Sequence, residues 1–294
     1  MRDVPDILCI GSVLWDIIGR ADTAMRQGSD MPGRITRLPG GVALNIAMAL
    51  ARFGMSPALI SAVGRDTQGD ELIAACILRG LNTDYIYRSD DLPTDRYMAV
   101  EGANGLIAAI ADAHSLEAAG DKILRPLADG TLPGPYHGAV ALDGNLTLEL
   151  LSIMAHSPLL AQADLRVAPA SPGKALRLVP FLQASRGTLY VNLEEAGLLC
   201  QTEFGDSRTA ARALLDRGAV RAVVTDGGNC ATMAMTDRLV TQSPPSVTVA
   251  RITGAGDTFM AAHIAAELHG ADPEAALAQA LTAAAQYVSG ETKI

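Results

Sequence analysis

The residue types with the clearest potential for chemistry lie together in one short segment, Arg251-Ile252-Thr253-Gly254-Ala255-Gly256-Asp257. The alanine-rich run 259–268 follows without Pro or Gly, which is typical of a helix. Small residues at a helix start leave the backbone N–H groups of the first turn accessible, and the helix dipole favours an anion there. The segment therefore predicts an anion cradle built from Gly254, Ala255 and Gly256.

Asp257 stands directly beside this cradle, where a carboxylate has two possible roles. It can cap the start of the helix. It can also take a proton from an alcohol that attacks a phosphorus atom. The local chemistry favours neither role over the other.

A second glycine-rich segment, 38–47, places the pair Gly40-Gly41 before Asn45. Because glycine has no Cβ atom, its backbone lets a ligand approach closely. Asn45 by itself predicts only a helix cap. The glycine pair in front of it favours a binding role.

The two segments resemble the two signatures of the ribokinase-like (PfkB) carbohydrate and nucleoside kinases. They stand about 200 residues apart in a chain of 294 residues, and the resemblance covers nearly the whole sequence. It implies transfer of the γ-phosphoryl group of ATP to a primary hydroxyl of a sugar or nucleoside. In this interpretation Asp257 is the base, and the cradle amides hold the charge that develops on the phosphoryl oxygens.

The resemblance also assigns residues to the acceptor, the nucleotide and a metal ion. The acceptor residues that it implies are Asp16, Gly40, Gly41, Asn45 and Asp143, with Thr94 and Tyr97 as candidates for contacts with a base. The nucleotide residues that it implies are Asn192, Thr225, Gly227, Gly228 and Thr253. Asn192 and Glu195 would organise Mg²⁺ through its waters, since this ion keeps much of its hydration shell. Without the resemblance, Asp16 predicts a solvated loop acid and 192–195 a helix start with acids in its first turn.

Two further segments depart from known phosphate-site patterns. Many family members carry an Asp two residues before the Thr of Thr253-Gly254-Ala255-Gly256-Asp257, where it helps to bind an activating K⁺, and this chain has Arg251. Since a fixed cation disfavours a second one nearby, we expect little dependence on K⁺. The segment Pro172-Gly173-Lys174-Ala175 is similar to the end of a P-loop but lacks the earlier glycine and the Ser/Thr, so no P-loop is predicted.

The elements that must position these residues alternate between buried strands and helices. Apolar runs predict strands over 7–10, 58–63, 139–142, 165–168, 188–191 and 220–225. Helical composition predicts helices over 45–53, 69–78, 146–156 and, after residue 263, through 288. This alternation predicts an α/β fold with a doubly wound, mostly parallel central sheet flanked by helices.

Two segments outside this alternation, about 12–39 and 94–112, carry short alternating patterns around Gly and Pro turns and predict a small β-sheet. The resemblance implies that it is a lid over the acceptor, which would exclude water from the reaction. No shift of composition marks a domain boundary, so we expect residues 1–294 to form a single domain. Dimers that pair through the lid sheet are common in the family, and an exposed β edge gives a physical reason to expect a homodimer.

Composition narrows the class of protein. The net charge is −9 without a Lys/Arg-rich run, which argues against nucleic-acid binding through a broad basic face. No uncharged apolar stretch reaches the roughly 18 residues that a membrane span needs, and the start lacks the pattern of a signal peptide. Four cysteines far apart indicate reduced thiols rather than a disulfide framework or a zinc site. We therefore expect a cytoplasmic protein without membrane association.

A second, less specific resemblance concerns the identity of the acceptor. The segments 32–35, 39–42, 45–47, 61–64 and 108–112 are most similar to those of bacterial pseudouridine kinases. The segment 38–47 also lacks the lysine and glutamine of typical ribokinases. This implies pseudouridine as the acceptor, with a ribose-, fructose- or adenosine-type kinase of the same family as the alternative.

Two other classes of protein remain open. A nicotinamide-dependent oxidoreductase would explain the strand–helix alternation, but Gly254-Ala255-Gly256 stands late in the chain and lacks a third glycine three residues on. A nucleotide-binding regulator without activity would retain the cradle. The joint presence of Asp257, Asn192 and Glu195 argues against the regulator.

Overall fold

The computed structural model describes residues 5–291. Its strands are β1 (Ile7–Ile10), β2 (Leu14–Arg20), β3 (Arg34–Gly40), β4 (Pro57–Ile60), β5 (Ala62–Gly64), β6 (Tyr87–Ser89), β7 (Arg96–Gly102), β8 (Gly105–Asp112), β9 (Ala139–Asp143), β10 (Asp164–Ala168), β11 (Thr188–Asn192), β12 (Arg221–Thr225), β13 (Ala231–Met235) and β14 (Arg238–Gln242). Its helices are α1 (Val42–Arg52), α2 (Thr67–Ile77), α3 (His114–Ala119), α4 (Arg125–Ala128), α5 (Leu148–His156), α6 (Val179–Gln183), α7 (Leu193–Cys200), α8 (Ser207–Asp216), α9 (Ala255–Leu268) and α10 (Pro273–Val288).

The central sheet has eight strands in the order β14-β13-β12-β11-β10-β9-β1-β4. Six neighbouring strands of this sheet pair in parallel, namely β4, β1, β9, β10, β11 and β12. The hairpin β13–β14 adds two antiparallel strands beside β12, at one edge. The predicted α/β fold with a mostly parallel central sheet is thus confirmed. In a parallel sheet, the loops that follow each strand all lie at the same edge, at the carboxyl ends of the strands. Open α/β sheets bind their ligands at this edge.

Hydrophobic cores lie on both faces of this sheet, because successive side chains of a strand point to opposite faces. Leu8, Val140 and Leu189 pack into one core, which includes residues from α5 to α8. Their chain neighbours Ile7 and Ala139 pack into the other core, which includes residues from α1, α9 and α10. Burial on both faces explains why these strands are continuous apolar runs.

A second sheet, in the order β3-β2-β7-β8, lies outside the central one. β2 and β7 pair in parallel, whereas the hairpin partners β2–β3 and β7–β8 are antiparallel. Each of the two segments predicted to form the small β-sheet thus supplies one hairpin. Asp16 pairs with Tyr97 between β2 and β7, so these two side chains share one face of the sheet.

Several element boundaries differ from the sequence prediction, three of them by more than a shift of one or two residues. α1 begins at Val42, before Asn45, because Gly41 in a left-handed conformation (φ 100°) opens the helix. The predicted strand 58–63 is interrupted at Ser61, after which β5 leaves the central sheet to pair with β6. The helical run through 288 is divided into α9 and α10, because Gly270 adopts φ 86° and Asp272 caps the next helix. Within residues 5–291, no helix is both long and apolar enough to span a bilayer.

A buried charged cluster holds α9 on the central sheet. Glu267, in the last turn of α9, accepts hydrogen bonds from Arg166 of β10 and Arg221 of β12. Burial opposes ionisation of Glu267, but the two guanidinium groups hold its pKa below the ordinary value. Because Asp257 lies in the first turn of the same helix, this cluster helps to fix the helix that carries it.

Candidate active site

The two glycine-rich segments, far apart in the sequence, meet at the starts of α1 and α9. Asn45 Nδ2 donates a hydrogen bond to Asp257 Oδ2 at 2.9 Å, which joins residues 212 positions apart. Neither side chain caps its own helix, since α1 and α9 both begin without a side-chain cap. The structure therefore brings Asn45 and Asp257 together and excludes the capping role for both.

Asp257 is half-buried, and its surroundings favour the protonated form. Burial raises its pKa to about 7, and the nearby carboxylates of Asp143 and Asp16 add to the rise. The hydrogen bond from Asn45 acts in the opposite direction, because it stabilises the ionised form. A carboxylate that titrates near neutral pH suits a general base, which must both accept a proton and be ionised beforehand.

The anion cradle differs in one amide from the prediction. The N–H of Ala255 already donates to the Ile252 carbonyl at 3.0 Å. The amides of Gly254, Gly256 and Asp257 have no acceptor within the part of the chain that the structure describes. Gly254 adopts φ 86°, which a glycine tolerates and which turns the chain into α9. The amides available to an anion are thus those of Gly254, Gly256 and Asp257, and the prediction missed the last of these.

Several residues predicted to bind the acceptor lie where the end of β3 pairs with the start of β2. A Cβ atom on Gly40 would lie 2.0 Å from Asp16 Oδ2, so only glycine fits beside this carboxylate. Gly41 is equally constrained, since a Cβ atom there would lie 2.5 Å from the carbonyl oxygen of Ser12. Burial raises the pKa of Asp16 to about 6. Asp16 and Asp257 contribute to a shared acidic site, and Tyr97 stands next to Asp16 in the sheet.

Asp143 was predicted to contact the acceptor, and the structure gives it a different position. Its side chain has no exposed surface. Its two oxygens accept hydrogen bonds from the amides of Ser12 (2.8 Å), Ala43 (3.3 Å) and Asn145 (2.8 Å), and from the side chains of Ser12 and Asn145. Asp143 therefore joins the ends of β1 and β9 to the start of α1, and its two oxygens are occupied by these donors.

Thr94, a predicted contact of the base, also has a different position in the structure. Only 1% of its surface is exposed, and its hydroxyl donates to Asp66 Oδ1 at 2.6 Å. Its amide donates to the other oxygen of Asp66, the residue that caps α2. Thr94 thus anchors the chain that enters β7, and its hydroxyl is not available to a ligand.

The prediction missed a polar pair beside this site, Asn145 and Lys174. Lys174 Nζ donates to Asn145 Oδ1, and Asn145 Nδ2 donates in turn to Asp143 and to Ser12 Oγ (3.0 Å). Both residues are half-buried, and burial lowers the pKa of Lys174. The only signal in the sequence was the partial P-loop pattern 172–175, in which Lys174 would have had a different partner.

A cleft of about 970 Å³ lies at the carboxyl ends of β11 and β12, in the region predicted to bind the nucleotide. Three of the predicted residues line it, namely Asn192, Thr225 and Gly227. Gly228 and Thr253 lie outside this lining, and Thr253 instead accepts a hydrogen bond from Tyr287. Much of the wall comes from α7 and the loop after it, for which the sequence carried no motif. The other lining residues are Leu193, Glu194, Gly197, Leu198, Gln201, Thr202, Glu203, Phe204 and Asp226.

Asn192 and Glu195 form a reciprocal capping box at the start of α7. Asn192 Oδ1 accepts from the amide of Glu195, and Glu195 Oε2 accepts from the amide of Asn192, both at 2.8 Å. Among residues 5–291, no group of three or more His, Cys, Asp or Glu side chains could hold a metal ion. The residues present thus fit Mg²⁺ only as an ion that keeps its waters, with the second oxygen of Glu195 as a water acceptor.

Comparison with protein families matches the chain to "pfkB family carbohydrate kinase" over residues 4–292. The chain belongs to this family. It is therefore a kinase, and the pair Asn45–Asp257 lies where both signatures of a pfkB kinase meet.

Individual relatives of this pfkB kinase support the same assignment. It is 30% identical over 269 residues to the uncharacterized sugar kinase YeiI of Escherichia coli K12, with 89% of this chain and 72% of that protein covered. It is 26% identical over 273 residues to the pseudouridine kinase of the same organism, with 89% and 83% covered. The solved structure of Arabidopsis thaliana ribokinase complexed with ribose and ATP superposes with a TM-score of 0.81 at 20% identity, covering 99% of this chain and 94% of that one. This last similarity concerns the fold alone, which is ribokinase-like.

The raised pKa of Asp257 predicts the acid side of the pH–rate profile of this pfkB kinase. The base must be ionised, so kcat/KM should fall about tenfold per pH unit below an apparent pKa near 7. Asn45→Ala removes the hydrogen bond that stabilises the carboxylate and should move this limb to higher pH. Steady-state rates measured from about pH 5 to about pH 9, roughly 2 units on either side of the raised pKa, report both effects, and a rate that stays flat down to pH 5 indicates an ordinary pKa.

The matched control for this profile is Asn82→Ala, which removes an amide side chain that binds the backbone of Asp84. It should leave the limb unchanged. If the acid side of the wild-type pH–rate profile had an apparent pKa near the ordinary aspartate value of about 4, it would contradict the assignment of Asp257. So would a limb that does not move in Asn45→Ala.

Proposed function

We propose that this pfkB kinase transfers the γ-phosphoryl group of ATP to the primary 5′-hydroxyl of pseudouridine. The observation that carries the phosphotransfer is the half-buried Asp257, with a pKa near 7, beside amides at the start of α9 that have no acceptor among the described residues. The choice of acceptor is supported by the similarity to the pseudouridine kinase of Escherichia coli over most of both chains.

In the proposed mechanism the acceptor hydroxyl is directed at Asp257, which removes its proton as the oxygen attacks the γ-phosphorus atom. The bond from this phosphorus to the oxygen that bridges it to the β-phosphate breaks, and ADP leaves. The amides of Gly254, Gly256 and Asp257 stabilise the charge on the transferred group. Asp16, Gly41 and Asn45 hold the sugar, and Asn45 keeps the base in a fixed orientation. The triphosphate occupies the cleft at β11 and β12. Mg²⁺, held through water by Asn192 and Glu195, supplies neutralising charge when it is bound.

Asn145 and Lys174 support an acceptor with a polar base. They place an amide and an ammonium group next to Ser12 and Asp143. A pyrimidine with carbonyl and N–H edges can exchange hydrogen bonds with both groups, whereas a free sugar has no such edge. Tyr97 on the small sheet offers an aromatic surface on the same side as Asp16.

The second sheet also supports the proposal of a homodimer. Its outer face carries exposed apolar side chains from neighbouring strands, Ile35 (80% exposed), Met98 (44%) and Ile110 (61%). A second copy packed on this face would cover them and the exposed strand edges. Sedimentation equilibrium measures the mass in solution, and a monomer across the accessible concentration range would contradict this part of the proposal.

The experiment that tests the function is ATP- and Mg²⁺-dependent phosphorylation of pseudouridine, uridine, adenosine, ribose and fructose. Selective turnover of pseudouridine is the expected result, because pseudouridine combines the ribosyl hydroxyl with a second base N–H, at the ring nitrogen that uridine uses for its glycosidic bond. Lys174→Met should raise its KM more than that of ribose, since the proposed contact is with the base. Selective turnover of a free sugar would overturn the acceptor, favour the similarity to the sugar kinase YeiI, and leave the phosphotransfer in place.

A further inference from the structure

The segment that leads into the cradle is tied to the end of α10 by contacts of both backbone and side chain. The amides of Ala250 and Arg251 donate to the carbonyl of Val288 at 2.8 and 3.1 Å. The hydroxyl of Tyr287 donates to the carbonyl of Thr253 at 2.9 Å. Residues 250–253 are therefore held by the helix that packs along α9, directly before the first cradle amide.

Arg251 completes this connection with its guanidinium group. Its Nε donates to the carbonyl of Tyr287 at 2.8 Å, and its Cζ lies 3.9 Å from the centre of the Tyr287 ring. A planar cation over an aromatic face is attracted by the ring and shields it from water. Tyr287 is itself 6% exposed, and a Cβ atom on Gly254 would lie 2.5 Å from its hydroxyl. The ring, the cation and the cradle glycine thus fit against one another.

A bound monovalent cation, which the family pattern implies near this segment, does not fit the residues present. K⁺ is held by oxygen atoms, and the carbonyl oxygens of Tyr287 and Thr253 already accept hydrogen bonds from Arg251 and Tyr287. Arg52 of α1 adds a second positive charge. Burial lowers the pKa of Arg52, and the closeness of Arg251 adds to this effect against the influence of Tyr287. Two guanidinium groups in one region repel a further cation.

We infer that Arg251 and Tyr287 together order the phosphate cradle in place of a bound monovalent cation. This pair of residues is called the strap below. They are positioning residues, because they act on the phosphate through Thr253 and Gly254. The inference rests on the proposed use of the cradle for phosphate and not on the identity of the acceptor. Affinity for a non-hydrolysable ATP analogue is therefore the primary measurement, since it needs no acceptor.

The wild-type enzyme should bind the analogue with the same affinity, within about twofold, in K⁺ and in tetramethylammonium, because the cation is part of the chain. Arg251→Ala should weaken binding about tenfold, the typical effect of losing a hydrogen bond from a charged group. Millimolar guanidinium, far below denaturing concentrations, should restore part of the affinity by refilling the position over the ring. Arg251→Lys keeps the charge but lacks the planar fork and should restore less than half of the loss.

Tyr287→Phe keeps the ring and removes only the hydroxyl that holds Thr253, so it tests the strap without opening the packing. It should weaken binding several-fold, and guanidinium should not restore it. Arg238→Ala is the matched control, since it removes an arginine from an exposed ion pair with Glu274 and should change nothing. A many-fold loss of wild-type affinity in tetramethylammonium would overturn the inference, as would a folded Arg251→Ala variant with unchanged affinity or without guanidinium rescue.

Discussion

Asp257→Asn should reduce kcat by about 10²- to 10⁴-fold, the usual contribution of a general base. The amide keeps the size of the side chain and can still accept the hydrogen bond from Asn45, so the site retains its shape. It cannot take the proton of the acceptor hydroxyl. Steady-state kinetics with saturating ATP and acceptor measure the loss, and calorimetric binding of an ATP analogue should be unchanged. Turnover at the wild-type rate would remove Asp257 from the role of base.

Asp257→Asn should also change how the stability of the folded protein depends on pH. The pKa of Asp257 is near 7 in the folded protein and near 4 in the unfolded chain, so the folded state binds the proton more tightly. Stability therefore falls as the pH rises from about 4 to 7, and the ionised carboxylate costs on the order of 2–4 kcal/mol at pH 8. Asp257→Asn should raise the melting temperature at pH 8 and lose this advantage toward pH 4. A variant that is less stable than the wild type at pH 8 would contradict the raised pKa.

Asp143→Ala should have the largest effect on stability of any single change at the site. It leaves the buried donors of Ser12 and Ala43 and the half-buried donors of Asn145 without their acceptor, which costs on the order of 3–5 kcal/mol. Because Asp143 holds the start of α1, the glycine pair and Asn45 should lose their arrangement as well. The free energy of unfolding from urea denaturation measures the first effect.

The kinetic effect of Asp143→Ala should be selective, which separates it from general destabilisation. KM for the acceptor should rise at least tenfold at a temperature where the variant is folded, while affinity for ATP should change little, since the nucleotide cleft lies at β11 and β12. Asp129→Ala is the matched control, because Asp129 binds Thr131 and Arg125 on an exposed surface. Equal losses for acceptor and ATP would contradict the positioning role of Asp143.

Much of the site could be predicted because its key residues are specified by local chemistry. The glycines of 40–41 and 254–256 stand where a Cβ atom or a side chain would obstruct a neighbour or an anion, as the clashes at Gly40, Gly41 and Gly254 demonstrate. Asp257 and Asn45 could be selected as a pair only through the family resemblance, since each alone also suited a helix cap. The contact between them needs the packing of α1 against α9.

The residues that sequence reasoning misplaced share a physical cause. The family resemblance assigned Asp143 and Thr94 to the acceptor, and it gives no information on which groups of the protein each side chain binds. Both are buried because donors from distant segments satisfy them, and such partners cannot be read from their neighbours in the chain. Lys174 was missed for the same reason, since its partner Asn145 lies 29 positions away.

The sequence by itself determined the alternation of strands and helices, the mostly parallel sheet and the kinase family, because these depend on local hydrophobic runs and on motifs with specific spacing. Only the tertiary structure decided that Asp143 joins β1 and β9 to the start of α1 and that the amide of Ala255 is already hydrogen-bonded. It also decided that Arg251 is held over Tyr287. These features depend on hydrogen bonds and ring contacts whose partners come into register only when the sheet has assembled and α1, α9 and α10 have packed on it.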